Sequence, residues 1–191
     1  KAETCGSYGL HFGATYDTLD VYNNIVYDWT TDGSFEATAL VYNGAQSGTL
    51  RINDNMLQMV TGGYLISDYP LSAGYIQYAN NRYFTINPPP HQMAIGITYE
   101  YWVQTSHEVN PSWERIPFPD PDRTISTYMS SMSMPASLDA FMAQARQQSR
   151  GYWREEFTAA AVNNYIRAGF GLGSVANQPP VVNAGADVSI T

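Results

Sequence analysis

The apolar positions fall into two regimes. Through residues 1–116 they alternate with polar ones over short runs rich in Tyr, Thr, Val and Ile, and Gly, Asn and Asp punctuate the runs. That is the pattern of strands and turns, and no helical period is read there. Residues 117–136 read as a Pro- and Ser-rich connection, from Pro117-Phe118-Pro119-Asp120-Pro121 to Met134-Pro135. Over 137–168 the apolar spacing changes to three and four. Ser137 caps a predicted helix carrying Leu138, Phe141, Met142 and Ala145, and Thr158 caps a second with Val162, Tyr165 and Ile166 on its apolar side. Gly169 sits where a left-handed helix stop is expected. Residues 171–180 are a Gly-, Ser-, Asn- and Pro-containing linker.

Within the strand regime one phrase recurs. Leu19-Asp20-Val21-Tyr22-Asn23-Asn24-Ile25-Val26-Tyr27 matches Leu50-Arg51-Ile52-Asn53-Asp54-Asn55-Met56-Leu57-Gln58 and Ile76-Gln77-Tyr78-Ala79-Asn80-Asn81-Arg82-Tyr83-Phe84. The equivalent asparagines are Asn24, Asn55 and Asn81. A constant local pattern at unequal spacing predicts the coils of a solenoid with loops of different length. Parallel strands stack about 4.8 Å apart, so the three carboxamides would lie one above another and bond through their donors and acceptors. Asn also tolerates the left-handed backbone of a sharp bend. The inward stacks would be Leu19/Leu50/Ile76 and Val21/Ile52/Tyr78, with Val26/Leu57/Tyr83 starting the next face. The competing arrangement is an antiparallel sandwich in which three similar strands match by chance; it should show turn signals about every 8–12 residues without repeats in phase.

The Asn-marked coils resemble the right-handed parallel β-helix of the pectate-lyase-like class. Trp113-Glu114-Arg115, Asp120-Pro121-Asp122-Arg123-Thr124-Ile125, Ser137-Leu138-Asp139-Ala140-Phe141, Gln148-Ser149-Arg150, Trp153-Arg154, Thr158 to Asn163 and Tyr165-Ile166-Arg167-Ala168-Gly169-Phe170 resemble the helical segment that closes such a β-helix in large secreted bacterial proteins. Asn177-Gln178-Pro179-Pro180-Val181-Val182-Asn183-Ala184-Gly185-Ala186-Asp187 resembles the opening of a polycystic-kidney-disease-type (PKD) domain. These resemblances imply a mainly β fold, with right-handed parallel β-helix coils over 1–116. A closing segment over 117–170 would pack its helical pair on an end or side of the coils. A linker and the first strand of a PKD-like domain follow over 171–191. They also imply an exported bacterial protein directed at polysaccharide. Its longer parent would have further coils upstream of Lys1 and the rest of the PKD-like module beyond Thr191, and its catalytic residues, those of a lyase or a glycoside hydrolase, mainly upstream.

Charge narrows the partners. Lys and Arg number 9 against 17 Asp and Glu, a net charge of −8. An acidic chain lacks the clustered cations that neutralise phosphates, so nucleic acid is not an expected partner. No apolar run is long enough for a membrane span. The only lysine is Lys1, and the polar surface rests on Asn, Gln, Ser, Thr and Tyr. Cys5 is the only cysteine and forms no disulfide within this chain, so a packed thiol is expected.

The chemistry-bearing residues are sparse. Hydrolysis of a glycoside needs two carboxylates within mutual reach. The expected outward columns Asp20/Arg51/Gln77, Tyr22/Asn53/Ala79 and Ile25/Met56/Arg82 hold no acid pair. Asp20 and Arg51 should form an exposed ion pair. His11, His91 and His107 are scattered, and His107-Glu108 lacks a second His at helical spacing, so it is not a zinc-peptidase motif. Asp120 and Asp122 flank Pro121 and offer oxygens to calcium, but the further acids and glycine of a dedicated loop are missing and a rigid turn explains the spacing. No cofactor is therefore expected, with calcium the one candidate. The binding signal is aromatic: Tyr99, Tyr101, Trp102 and Trp113, whose flat faces suit sugar rings. On a strand, alternation would place Tyr99 and Tyr101 on one side and Trp102 on the other. Core packing of these rings is the competing role. Two functional classes stay open: part of a polysaccharide-acting β-helix enzyme, or a non-catalytic extracellular adhesive or carbohydrate-binding protein.

Overall fold

The computed structural model describes residues 8–12, 17–29, 38–42, 48–66 and 74–175. Cys5 and the PKD-like stretch 177–187 lie outside them. The chain divides into two compact units, Lys1–Pro117 and Phe118–Thr191. The fold is mainly β, with parallel sheets and four α-helices among the described residues. None of those helices is long and apolar enough to cross a membrane.

The first unit holds β1 (Tyr8–Phe12), β2 (Thr18–Tyr22), β3 (Ile25–Tyr27), β4 (Thr38–Tyr42), β5 (Thr49–Asn53), β6 (Met56–Met59), β7 (Tyr64–Ile66), β8 (Ile76–Ala79), β9 (Arg82–Thr85) and β10 (Ser112–Trp113). They make three sheets in the orders β1-β4-β7, β2-β5-β8 and β3-β6-β9-β10, with every pairing parallel. A tight hairpin cannot join parallel neighbours. Here the chain visits the other two sheets before it returns beside its previous strand. Parallel pairing of β2 with β5 excludes the antiparallel sandwich.

Register follows the sequence phrase. Leu19, Leu50 and Ile76 are partners in line, as are Val21, Ile52 and Tyr78. Val26, Leu57 and Tyr83 form the corresponding row on the third sheet. These side chains point inward and, apart from half-buried Leu19, are buried. Full burial of each aliphatic side chain contributes about 1.5–3 kcal/mol before entropy is counted. Outside, Asp20 and Arg51 meet at 3.2 Å with both side chains about half exposed.

A two-residue bend joins β2 to β3, β5 to β6 and β8 to β9. The first residue of each bend takes the left-handed conformation: Asn23 at φ 56°, Asp54 at 57° and Asn80 at 55°, with Asn110 at 51° before β10. The ladder asparagines Asn24, Asn55 and Asn81 are not themselves left-handed, contrary to expectation. The sharp turn is made one residue earlier. Each ladder Asn is left free to aim its own N–H at the next carboxamide oxygen.

The chain departs from its pattern after the third repeat. In place of a further strand for the β1-β4-β7 sheet it forms α1 (Tyr99–Ser106). The strand expected around Tyr99–Trp102 is therefore a helix. Thr98 caps it by accepting from the Tyr101 N–H at 3.1 Å. Tyr99, Trp102, Val103 and Ser106 recur at helical spacing, which outweighs the local strand preference of the aromatic and β-branched residues. Trp102 is wholly buried, edge-on to Tyr78 at 4.9 Å and to Tyr83 at 6.2 Å. Val109 then bridges to Ala79, and β10 extends the third sheet.

The second unit contains α2 (Ile125–Ser131), α3 (Leu138–Ala145), a 3₁₀ turn at Glu155–Phe157 and α4 (Ala159–Gly169). The segment read as connection thus includes a helix. Thr124 opens α2 with a reciprocal cap in which Thr127 takes the place of the usual Glu or Gln. Ser137 and Thr158 cap α3 and α4 as expected. Met129, Phe141, Phe157 and Val162 form the core. Leu138 and Met142 of the expected α3 stripe are exposed, because α2 and the 3₁₀ turn meet the Phe141 side of that helix.

Gly169 is not the left-handed stop. That residue is Gly171 (φ 72°), and the Gly171 and Leu172 N–H groups bond the Ala168 and Arg167 carbonyls in a Schellman closure. Gly169 is required for a different reason: a Cβ there would collide with the Asp120 carbonyl.

Candidate functional site

The predicted carboxamide stack forms inside the first unit and extends further than the repeat suggests. Asn24 donates its N–H and its Nδ2 to Asn55 Oδ1, both at 3.0 Å. Asn55 does the same to Asn81 Oδ1, again at 3.0 Å. The second Nδ2 protons go to carbonyls of the previous repeat, Asn55 to Val21 at 2.9 Å and Asn81 to Ile52 at 2.7 Å. Every carboxamide donates in the same direction, so the last one needs an acceptor. Glu108 supplies it. Its Oε1 accepts from Asn81 N at 3.1 Å and Nδ2 at 2.7 Å, and its Oε2 accepts from Tyr83 OH at 2.8 Å and Trp102 Nε1 at 3.0 Å.

An ionised carboxylate accepts without donating, which suits the end of such a chain. Glu108 follows His107, whose left-handed backbone (φ 54°) ends α1. Burial pushes the Glu108 carboxyl above its ordinary pKa, and the bonds from Trp102, Asn81 and Tyr83 oppose that rise without cancelling it. Burial, reinforced by the Glu108 charge, raises the Tyr83 hydroxyl well above the usual phenol range. In the sequence Glu108 stands out only beside His107, a pair that lacks the second His of a metal motif. Its position 27 residues after Asn81 (108 − 81), close to the 26 between Asn55 and Asn81 (81 − 55), was the available signal.

The four aromatic candidates do not form one platform. Tyr99 and Trp113 come together, with ring centroids 5.1 Å apart and both side chains half buried. Phe84 lies 6.1 Å from Trp113, and Arg115 sits over the Phe84 ring at 5.9 Å. Trp102 is committed to the core. Tyr101 is exposed and lies about 200° round the helix from Tyr99. Near Arg115 the chain is pinned over the sheet: Gln58 Oε1 accepts from Ile116 N at 2.8 Å and Gln58 Nε2 donates to Ile116 O at 3.2 Å.

A polar groove of about 450 Å³ runs along the outer side of the bends. One wall is the left-handed row Asn23, Asp54, Asn80 and Asn110. The other is the outward column Met56, Arg82 and Ser112, with Glu114 beside it. Asn110 Nδ2 donates to Asn80 Oδ1 at 3.4 Å, and Asn80 Nδ2 to Asp54 Oδ1 at 3.2 Å. Arg82 pairs with Glu114 at 3.3 Å, both about half exposed. The outward columns Asp20/Arg51/Gln77, Tyr22/Asn53/Ala79 and Ile25/Met56/Arg82 contain neither the bend residues nor the fourth repeat. Two carboxylates outside those columns, Asp54 and Glu114, line one groove. None of the expected aromatic residues lines it.

Asp120, one of the calcium candidates, is held by Arg123 Nε at 2.9 Å. Among the described residues no group of three or more His, Cys, Asp or Glu is arranged to hold a metal ion. Comparison with family models, curated proteins and solved structures returned no match.

Proposed function

We propose that this chain is part of an exported right-handed parallel β-helix protein of the pectate-lyase-like class, and that it associates with polysaccharide. The observation that carries the reading is the groove that crosses successive repeats, edged by Asn23, Asp54, Asn80 and Asn110. Three carboxamides and the Asp54 carboxylate, one from each successive repeat, offer donors and acceptors to the hydroxyls of a chain laid along the row. The three-sheet parallel order and the internal amide stack support the β-helix assignment.

Binding rather than cleavage is assigned to this stretch. Arg82 and Glu114 engage each other, as do Arg51 and Asp20, so these cations are already matched by acids. Affinity electrophoresis through gels containing neutral or acidic polysaccharides, paired with a reducing-end assay, tests the reading. Retardation by at least one glycan without product release is expected. Unchanged mobility in every gel overturns it.

A further inference from the structure

We infer that the groove takes an uncharged, hydroxyl-rich polysaccharide and rejects polyuronates. This rests on the polysaccharide reading and specifies its substrate class. Three observations carry it.

The first is hydrogen-bonding capacity. A carboxamide has two N–H donors and two acceptor lone pairs. Within the exposed row Asn80 uses one N–H toward Asp54 and one lone pair toward Asn110. One donor and one acceptor remain at Asn80 to face the groove. Asn110 keeps one N–H and its oxygen. Such mixed groups match hydroxyls, which both give and take hydrogen bonds. A carboxylate only accepts and would use half of what the row provides.

The second is charge. The groove contains Asp54, Glu114 and Arg82, and the last two neutralise each other at 3.3 Å. Asp54 leaves the groove with one uncompensated negative charge, on a chain of net charge −8. A polyuronate would have to bring its carboxylates against that field, with the arginine already paired. Like charges placed opposite one another disfavour the wrong partner at an interface.

The third is geometry. Four repeats contribute to the row, and at about 4.8 Å between parallel strands the row spans about 14 Å, roughly two to three pyranose units. The backbone is left-handed at all four positions, and all four residues line the groove. The row is exposed along its length.

The test is calorimetric titration of the full chain with two oligosaccharide series of matched length, β-glucan and polygalacturonate. The β-glucan series should bind, with an affinity that changes by less than about twofold between low and high salt, because no ion pair is formed. The polygalacturonate series should bind at least about tenfold more weakly. Asn80→Gly with Asn110→Gly removes the carboxamides while keeping residues that accept positive φ; it should weaken β-glucan binding about tenfold with an unchanged melting temperature. If that double variant melts early, Ser112→Val with Met56→Ala, which removes a hydroxyl and an apolar contact from the opposite wall, gives the second reading, again with weakened binding. Tighter binding of polygalacturonate overturns this inference and leaves the polysaccharide reading intact. β-Glucan affinity unaffected by both pairs of substitutions overturns the assignment to this groove. No binding by either series overturns the inference and, with unretarded migration in the gels, the underlying reading as well.

Discussion

Glu108→Gln asks how the amide stack is closed. The side chain accepts four hydrogen bonds at 2.7–3.1 Å and is 7% exposed. Glutamine keeps the shape and one oxygen. With that oxygen toward Asn81, the amino group faces the Tyr83 hydroxyl and the Trp102 Nε1–H. The hydroxyl can rotate and accept, but the indole N–H cannot, so it is buried without an acceptor. An orphaned buried donor costs about 1–3 kcal/mol, and replacing bonds to a charge by bonds to a neutral amide removes roughly another 1 kcal/mol. Relief from burying the charge offsets part of this, and the expected net loss is about 2 kcal/mol. The urea midpoint should fall at constant slope.

Trp102→Phe removes the conflicting N–H, so Glu108→Gln should cost less in that background, with a coupling of about 1 kcal/mol. The pH dependence has a definite sign. The folded-state pKa of Glu108 is raised, so its favourable contribution is fully present below the unfolded value and is lost as pH rises through the folded one. A protonated Glu108 can donate to the Tyr83 oxygen and still accept from Trp102. The wild type should therefore gain on the Gln variant as the solution is acidified through that window. A loss below about 0.5 kcal/mol for Glu108→Gln, or strict additivity with Trp102→Phe, would refute the reasoning.

Asn55→Asp sets an acceptor against the Val21 carbonyl and Asn81 Oδ1, where Nδ2 now donates at 2.9 and 3.0 Å, in a fully buried position. Chemical denaturation should show a loss of about 3 kcal/mol or more at neutral pH, smaller in acid where the protonated side chain regains a donor. Gly171→Ala should lower stability by about 1 kcal/mol through its left-handed backbone, and Gly169→Ala by more, because its methyl meets the Asp120 carbonyl; thermal melts rank the two. Asp20→Asn should change stability by less than about 0.5 kcal/mol, since its ion pair with Arg51 is solvent-screened, and a salt titration should leave the difference flat.

Rows such as Leu19/Leu50/Ile76 were legible because a period of two and a fixed two-residue bend repeat at the same phase. The sheet of β1, β4 and β7 was not aligned, since Thr38-Ala39-Leu40-Val41-Tyr42 and Tyr64-Leu65-Ile66 carry no marker residue equivalent to the ladder Asn. Helix α1 was hidden by strand-favouring composition, although Thr98 and the spacing of Tyr99, Trp102, Val103 and Ser106 encode it. α2 was obscured because a Thr stands where a capping box normally has Glu or Gln. Glu108 and the groove could not be read locally. The first depends on donors from β9, α1 and the bend before β9; the second depends on bend residues brought into line by register.

The most direct test of the shared, internally closed amide stack is hydrogen exchange of the side-chain carboxamides, followed by nitrogen-edited NMR in deuterated water. Asn55 and Asn81 are fully buried and bonded, so their Nδ2 protons should exchange only through unfolding-type openings, while those of exposed Asn80 and Asn110 vanish at once. Glu108→Ala should accelerate Asn81 before Asn55, because it removes the acceptor at that end of the stack. Loss of the Asn55 and Asn81 signals as fast as that of Asn110 would contradict the account.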